Sequence, residues 1–179
     1  MMPREQADAL LHDYIDQVYP LLPVIHGPTT RTLVAELYGQ LSRGEGIKPQ
    51  VAALVLSIGS IAAFFWQPDA GSHGDFASTK EAAEASAMWR QWAFNILSNS
   101  KCLSRGTMEE VQAWTLLGFI SYSAEGCSYR FRFFHNCALT HARELSLHLV
   151  DSPRSEHDEG GVTRELKRRL WWHIAATDW

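Results

Sequence analysis

Residues 51–67 read V-A-A-L-V-L-S-I-G-S-I-A-A-F-F-W-Q, an uncharged run opened by Pro49. It is too long for a buried strand and does not alternate at period two. Proline is tolerated in a first helical turn, so the run predicts an apolar helix over 51–66. Ser57, Gly59 and Ser60 interrupt it, and it falls short of the ~18 to 20 residues of a membrane span. The run therefore reads as a buried helix, with a membrane helix as the alternative.

The flanking segments carry the same period. From Glu5 to Tyr19, Ala7, Leu10, Leu11, Tyr14 and Val18 recur at helical spacing, ended by Pro20 and Pro23. The connector Tyr19 to His26 is extended, because each proline pushes its predecessor out of the α region, and its large apolar residues predict that it is packed. Thr29 or Thr30 can cap a helix with the stripe Leu33, Val34, Leu37, Tyr38 and Leu41, closed by Gly44 and Gly46. Gln67 to Ala77 is expected to be a surface loop. Ser78-Thr-Lys-Glu81 is a capping box ahead of Ala82, Ala85, Trp89, Trp92 and Ile96.

Thr107-Met-Glu-Glu110 is a second capping box, and Val111 to Tyr122 behind it is apolar on every side, which predicts a central helix. Gly126 breaks the chain before a helix over Tyr129 to His148, with the face Phe134, Ala138, Ala142, Leu145 and Leu149. Asp151 to Gly161 is a polar loop, and Thr163 can cap a last helix carrying Leu166, Leu170 and Ile174. No segment alternates like a strand, so the fold class is all-α, about seven helices in an irregular bundle or array. Trp114-x-x-Leu117-Gly118 imitates the start of a tetratricopeptide unit, but Ser121 stands where that unit needs an aromatic and no echo follows.

The 179 residues, 46% hydrophobic and 20% charged, exclude a mainly disordered or collagen-like chain. Sixteen Lys and Arg against twenty Asp and Glu leave a net charge of -4, the wrong sign for a chain whose work is neutralising phosphates. Cys102, Cys127 and Cys137 are odd in number and widely spaced, which fits a reduced compartment without disulfides. The N-terminus lacks the order of a signal peptide, so export is not expected.

Catalytic motifs are missing from the sequence: there is no G-x-S-x-G, no G-x-x-x-x-G-K-[ST] and no H-E-x-x-H. Cys137 and His141, four apart, can present two ligands to Zn²⁺, but two ligands do not make a site, and a buried Cys beside a helix-surface His is the expectation. His12-Asp13 and His157-Asp158 are dipeptides that metal-dependent phosphohydrolases use to share a divalent ion; the second lies in a charged loop. Lys167-Arg168-Arg169 can touch phosphates, yet Lys167/Trp171 and Arg168/Trp172 are also spaced for cation–π contacts, and a carboxylate such as Asp178 is within reach. A structural role is expected. No catalytic, DNA-binding, metal-binding or cofactor-binding residue is assigned, and the chain is not expected to be an enzyme.

Several of these stretches resemble a known family. Tyr14 to His26 (Y-I-D-Q-V-Y-P-L-L-P-V-I-H), Ala52 to Ile61, and Thr107 to Tyr122 with Gln112, Leu116 and Leu117 occur in the order of the middle homology region of fungal zinc-cluster transcription factors, the regulatory domain often named after the xylanolytic activator. Ala138-Leu-Thr-His-Ala-Arg-Glu-Leu-Ser-Leu-His148 followed by Glu165-Leu-Lys-Arg-Arg-Leu-Trp-Trp-His-Ile-Ala-Ala-Thr-Asp178 is similar to its "A-R-A-elGLH" and "E-rRRlWW-----D". Ser146 replaces the usual Gly, and Thr140 stands where Arg is common.

The resemblance spans about residues 14 to 179 and only the first part of the family domain, so residues 1–179 are expected to be a partial regulatory domain whose tail at Trp171, Trp172 and Trp179 lacks covering helices. It implies transcription regulation in the nucleus, attachment to an upstream six-cysteine, two-zinc cluster that reads DNA, protein partners or self-association, a small-molecule effector, and no membrane. Three cysteines cannot build that cluster, so no zinc or other cofactor is expected in this chain. The alternatives are a small all-α metal-dependent enzyme working through the His-Asp pairs, and a stand-alone helical adaptor.

Overall fold

A computed structural model describes residues 2–68, 71–99, 106–152 and 160–177. Among these there is no strand, and seven α-helices follow one another: α1 (Arg4–Asp13), α2 (Gly27–Ser42), α3 (Pro49–Phe65), α4 (Thr79–Asn99), α5 (Met108–Glu125), α6 (Tyr129–Glu144) and α7 (Gly161–Ala176). A wider π-helical turn, Tyr14–Val18, extends α1, and a short 3₁₀ turn, Leu147–Leu149, follows α6. The expected all-α class holds. No helix of the described residues is long and apolar enough to cross a membrane.

The two helices that are apolar all round form the spine. Every residue from Val51 to Ala63 of α3 is buried, and so is every residue from Glu110 to Gly118 of α5. Around α3 pack α1 with its π turn, α2, α4 and α5; α6 lies on α5, and α7 on α6 and the 3₁₀ turn. The small residues that interrupt the apolar run explain the close approach of α4. Ser60 Oγ donates to the Ser86 carbonyl at 2.8 Å and Ser86 Oγ to the Ser60 carbonyl at 2.7 Å, a buried reciprocal pair between α3 and α4. Each hydroxyl satisfies itself on a partner that already serves its own helix, so polar atoms enter the core without an orphaned group.

Several local expectations change. Thr29 and Thr30 do not cap α2: Gly27 and Pro28 occupy its first turn, where a missing N–H costs nothing, and the helix starts earlier. Thr30 Oγ1 instead donates to the His26 carbonyl at 3.0 Å. Likewise α7 starts at Gly161 with Gly160 as its N-cap, leaving Thr163 inside the first turn. The Thr107 cap holds, its hydroxyl accepting from the Glu110 N–H at 3.3 Å. In α4 the buried row is Ala82, Ser86, Trp89, Ala93 and Leu97, and Trp92 is exposed, because the close contact with α3 admits alanine and excludes a second indole. The α6 helix ends at Glu144, short of His148, because Ser146 adopts the left-handed conformation, φ 58° and ψ 30°.

The connector after α1 is packed as expected over Leu22, Val24 and Ile25, although Leu21 is 69% exposed. Two side chains fix it: Tyr14 Oη donates to the Leu22 carbonyl at 2.6 Å, and Gln112 Nε2 of α5 donates to the Val24 carbonyl at 2.8 Å. The loop before α4 is more than a surface loop, since Gly74 and Phe76 are buried. Its anchor is Asp13, whose buried carboxylate accepts the N–H groups of His73 at 2.6 Å and Gly74 at 2.8 Å. Trp66 Nε1 donates to the Gly74 carbonyl at 2.8 Å and completes the attachment.

Candidate functional site

The helical repeat brings one side of α5, α6 and α7 together around a groove of about 340 Å³, within the usual range of small-molecule sites. On α5, Trp114, Gly118 and Tyr122 are spaced four apart and line one wall; on α6, Phe131, His135 and Ala138 line the next; α7 contributes His173 and Ile174, and Thr177 follows as its C-cap. Gly118 keeps the floor open. A Cβ there would meet nothing closer than Phe134 Cβ at 3.9 Å, so the space belongs to the groove and is not demanded by backbone packing.

The walls are largely aromatic. Tyr122 and Phe131 lie 5.3 Å apart between ring centroids, and Phe131 and His135 5.8 Å. The polar groups gather at one end, where Thr177 Oγ1 sits 3.3 Å from His135 Nδ1. Burial, reinforced by the nearby His135, holds the His173 imidazole below the usual histidine pKa, so it favours the neutral form. Trp114, 3% exposed, leaves its indole Nε1 without a hydrogen-bond partner. A buried N–H without an acceptor costs on the order of 1–3 kcal/mol.

Two arginines of the basic cluster of α7 are engaged by carboxylates on the surface. Arg168 forks onto Asp151, with Nη2 to Oδ1 at 2.6 Å, and its Nη1 donates to Glu165 at 2.6 Å. Arg169 donates through Nε to Glu165 at 2.8 Å and through Nη1 to Tyr19 Oη at 2.9 Å. These hydrogen bonds hold the Asp151 and Glu165 carboxyls below the usual carboxylate range. Arg168 and Arg169 thus pair with carboxylates, and the partner of Arg168 across the loop is Asp151; Asp178 and Trp179 lie outside the described residues. Trp171 packs beside His148 at 5.7 Å, whereas Trp172 is 62% exposed.

The His12-Asp13 pair does not act as a unit. Asp13 is turned inward to the loop, and His12 outward, where its ring stacks on His73 at 4.1 Å and its Nε2 lies 3.5 Å from Asp16 Oδ2. Of the Cys137 and His141 pair, His141 sits between Glu110 at 3.5 Å and Glu144 at 3.3 Å. Among the described residues, the group of potential ligands close enough to share a cation is His12, Asp16 and His73, which neither Cys137 nor His141 joins. Cys127 is exposed and Cys137 half-buried. His157-Asp158 and Cys102 lie outside the described residues.

The groove escaped the sequence because its walls come from three helices. Its one sequence signal is Gly118, a glycine inside an otherwise bulky apolar helix, which marks either a close helix contact or an opening. The histidines at its polar end had no such signal.

A family model described as "Fungal specific transcription factor domain" matches residues 11–178. Three curated relatives are similar over nearly all of the chain. Transcription factor TAS2 of Pyricularia oryzae is 36% identical over 100% of this chain and 24% of its own length. The probable transcription factor lepB of Aspergillus flavus is 36% identical over 99% of this chain and 32% of its own length. The agnestins biosynthesis cluster transcription factor AgnL11 of Paecilomyces divaricatus is 30% identical over 98% of this chain and 26% of its own length. The chain thus spans about a quarter to a third of the length of the relatives it matches. No solved structure matches it.

Proposed function

The chain belongs to the fungal specific transcription factor domain family, and from that premise we propose that it is the effector-sensing part of a nuclear regulator, which tunes an attached DNA-binding apparatus when a small organic ligand enters the groove between α5, α6 and α7. The family is one of transcription factor domains and not of enzymes. The observation that carries the reading is a largely aromatic groove of about 340 Å³ whose polar groups, His135, His173 and Thr177, gather at one end. The ligand it suits is largely apolar, with a polar group at the end that meets Thr177 and the histidines. One relative is named for a biosynthesis cluster, which agrees with a metabolite-sized effector.

DNA readout in this proposal comes from a zinc cluster encoded outside residues 1–179, which form one part of a larger regulatory domain. A net charge of -4 and arginines engaged by Asp151 and Glu165 suit a module that does not itself grip phosphates. Nuclear residence follows from the same role.

The test uses an aromatic sulfonate dye, anilinonaphthalene sulfonate, as a groove probe, with Gly118→Leu to fill the floor. The proposal expects one saturable site whose affinity falls about tenfold or more in Gly118→Leu, with far-UV circular dichroism unchanged. Equal dye binding by Gly118→Leu and the parent chain would place the apolar site elsewhere and remove the basis of the reading.

A further inference from the structure

We propose that His12, Asp16 and His73 form a binding site for one divalent ion of the zinc class, which clasps the loop before α4 to the first helix. It is independent of the effector groove and of any cysteine. His12 and Asp16 are one helical turn apart where α1 passes into its π turn, and His73 reaches the same point from the loop.

The distances suit a small ion. His12 Nε2 lies 3.5 Å and His73 Nε2 3.8 Å from Asp16 Oδ2, and all three ligand atoms fall within 4.8 Å of one another. Tetrahedral Zn²⁺, with ligands at about 2.0–2.1 Å, sets neighbouring ligand atoms roughly 3.3 Å apart, so closing the site needs shifts well within side-chain freedom. The two rings are stacked nearly parallel, 3° between planes. A metal lies in the plane of each imidazole that binds it, so one ring must tilt out of the stack. Both side chains are nearly half exposed, 49% and 45%, and have the room.

What distinguishes this group from a chance surface cluster is how firmly the loop is held while its imidazole stays free. Asp13 accepts the backbone N–H groups of His73 and Gly74, Gln17 Nε2 donates to Ser72 Oγ at 3.0 Å, and the Trp66 indole holds the Gly74 carbonyl. The loop lies close on α1, since a Cβ at Gly74 would crowd Leu10 at 3.0 Å and Asp13 at 3.1 Å. The Asp13 and Trp66 bonds act on the backbone, the Gln17 bond on Ser72, and all leave the His73 ring over His12 and Asp16. Two imidazoles and one carboxylate suit Zn²⁺ with water completing its coordination. The sequence singled out His12 for its neighbour Asp13; the ligand is instead the carboxylate one turn on, with the second imidazole far along the chain.

Titration calorimetry of the full chain with ZnCl₂, paired with Co²⁺ absorption spectra, tests the assignment. One ion per chain is expected, with a zinc-dependent rise in melting temperature reversed by chelation. Affinity should fall about tenfold or more in His73→Ala and in His12→Ala, which leave the Asp13 anchors in place. The cobalt complex should show nitrogen and oxygen ligation without a thiolate charge-transfer band. No zinc uptake, unchanged affinity in His73→Ala, or a thiolate band would each overturn the site.

Discussion

Replacing Ser146 by glycine should stabilise the chain by about 0.5–1 kcal/mol. Ser146 is the one non-glycine residue with positive φ among the described residues, at φ 58° and ψ 30°. A left-handed residue bearing a Cβ costs roughly 1–2 kcal/mol. Glycine removes that cost and loses about 0.5–1 kcal/mol of it again through its freer unfolded chain. Little else is at stake, because the side chain is exposed and its hydroxyl makes no capping bond to the 3₁₀ turn. The bonds that matter are backbone ones, Ser146 N–H to the Arg143 carbonyl at 2.9 Å and Leu149 N–H to the Ser146 carbonyl at 2.9 Å, and both survive the change. Urea melts followed by circular dichroism should show a higher midpoint at an unchanged slope, with a gain of roughly 2–4 °C per kcal/mol in thermal melts. A Ser146→Ala control should show no such gain. Ser146→Gly equal to or below the parent, or Ala matching Gly, would refute the left-handed turn as the end of α6 and with it the equivalence of Ser146 to the family's glycine.

Asp13→Ala should cost about 2–4 kcal/mol in urea melts, since it orphans the N–H groups of His73 and Gly74; a loss below 1 kcal/mol would mean that the loop is not anchored there. Because the folded state holds His173 below its ordinary pKa, the unfolded chain binds the proton first. Its contribution to stability is therefore complete above about pH 6.5 and lost as the pH falls below it. Melts from pH 8 to pH 5 should show that loss, and His173→Phe should lessen it. The chain by itself should give no sequence-selective, salt-sensitive shift of duplex DNA in gel mobility assays. A selective shift abolished by Lys167→Ala, Arg168→Ala and Arg169→Ala together would restore the basic cluster as a DNA contact.

Local periodicity made the helices legible, since α3 and α5 declare themselves by being apolar on every side. Features requiring two elements at once were not. Trp92 looks like core by size, but the reciprocal bonds of Ser60 and Ser86 bring α3 and α4 close enough that Ala93 takes the buried place. Thr29, Thr30 and Thr163 are good caps by residue type, yet glycine and proline ahead of them begin the helices first. The resemblance in Ala138–His148 and Glu165–Asp178 identified the family that the comparison then matched over residues 11–178. It could not reveal the groove, whose walls are assembled from three helices, nor His73, whose loop is fixed by a buried carboxylate on α1.

The central claim is that this helical array regulates an attached transcription apparatus through the groove beneath Trp114. It is tested most directly by inserting the chain between a heterologous DNA-binding domain and an activation segment and measuring reporter output at matched protein abundance. The account predicts that the inserted chain changes the output and that Gly118→Leu alters that change while leaving abundance untouched. Identical output with and without the chain, or with and without the filled groove, would contradict it.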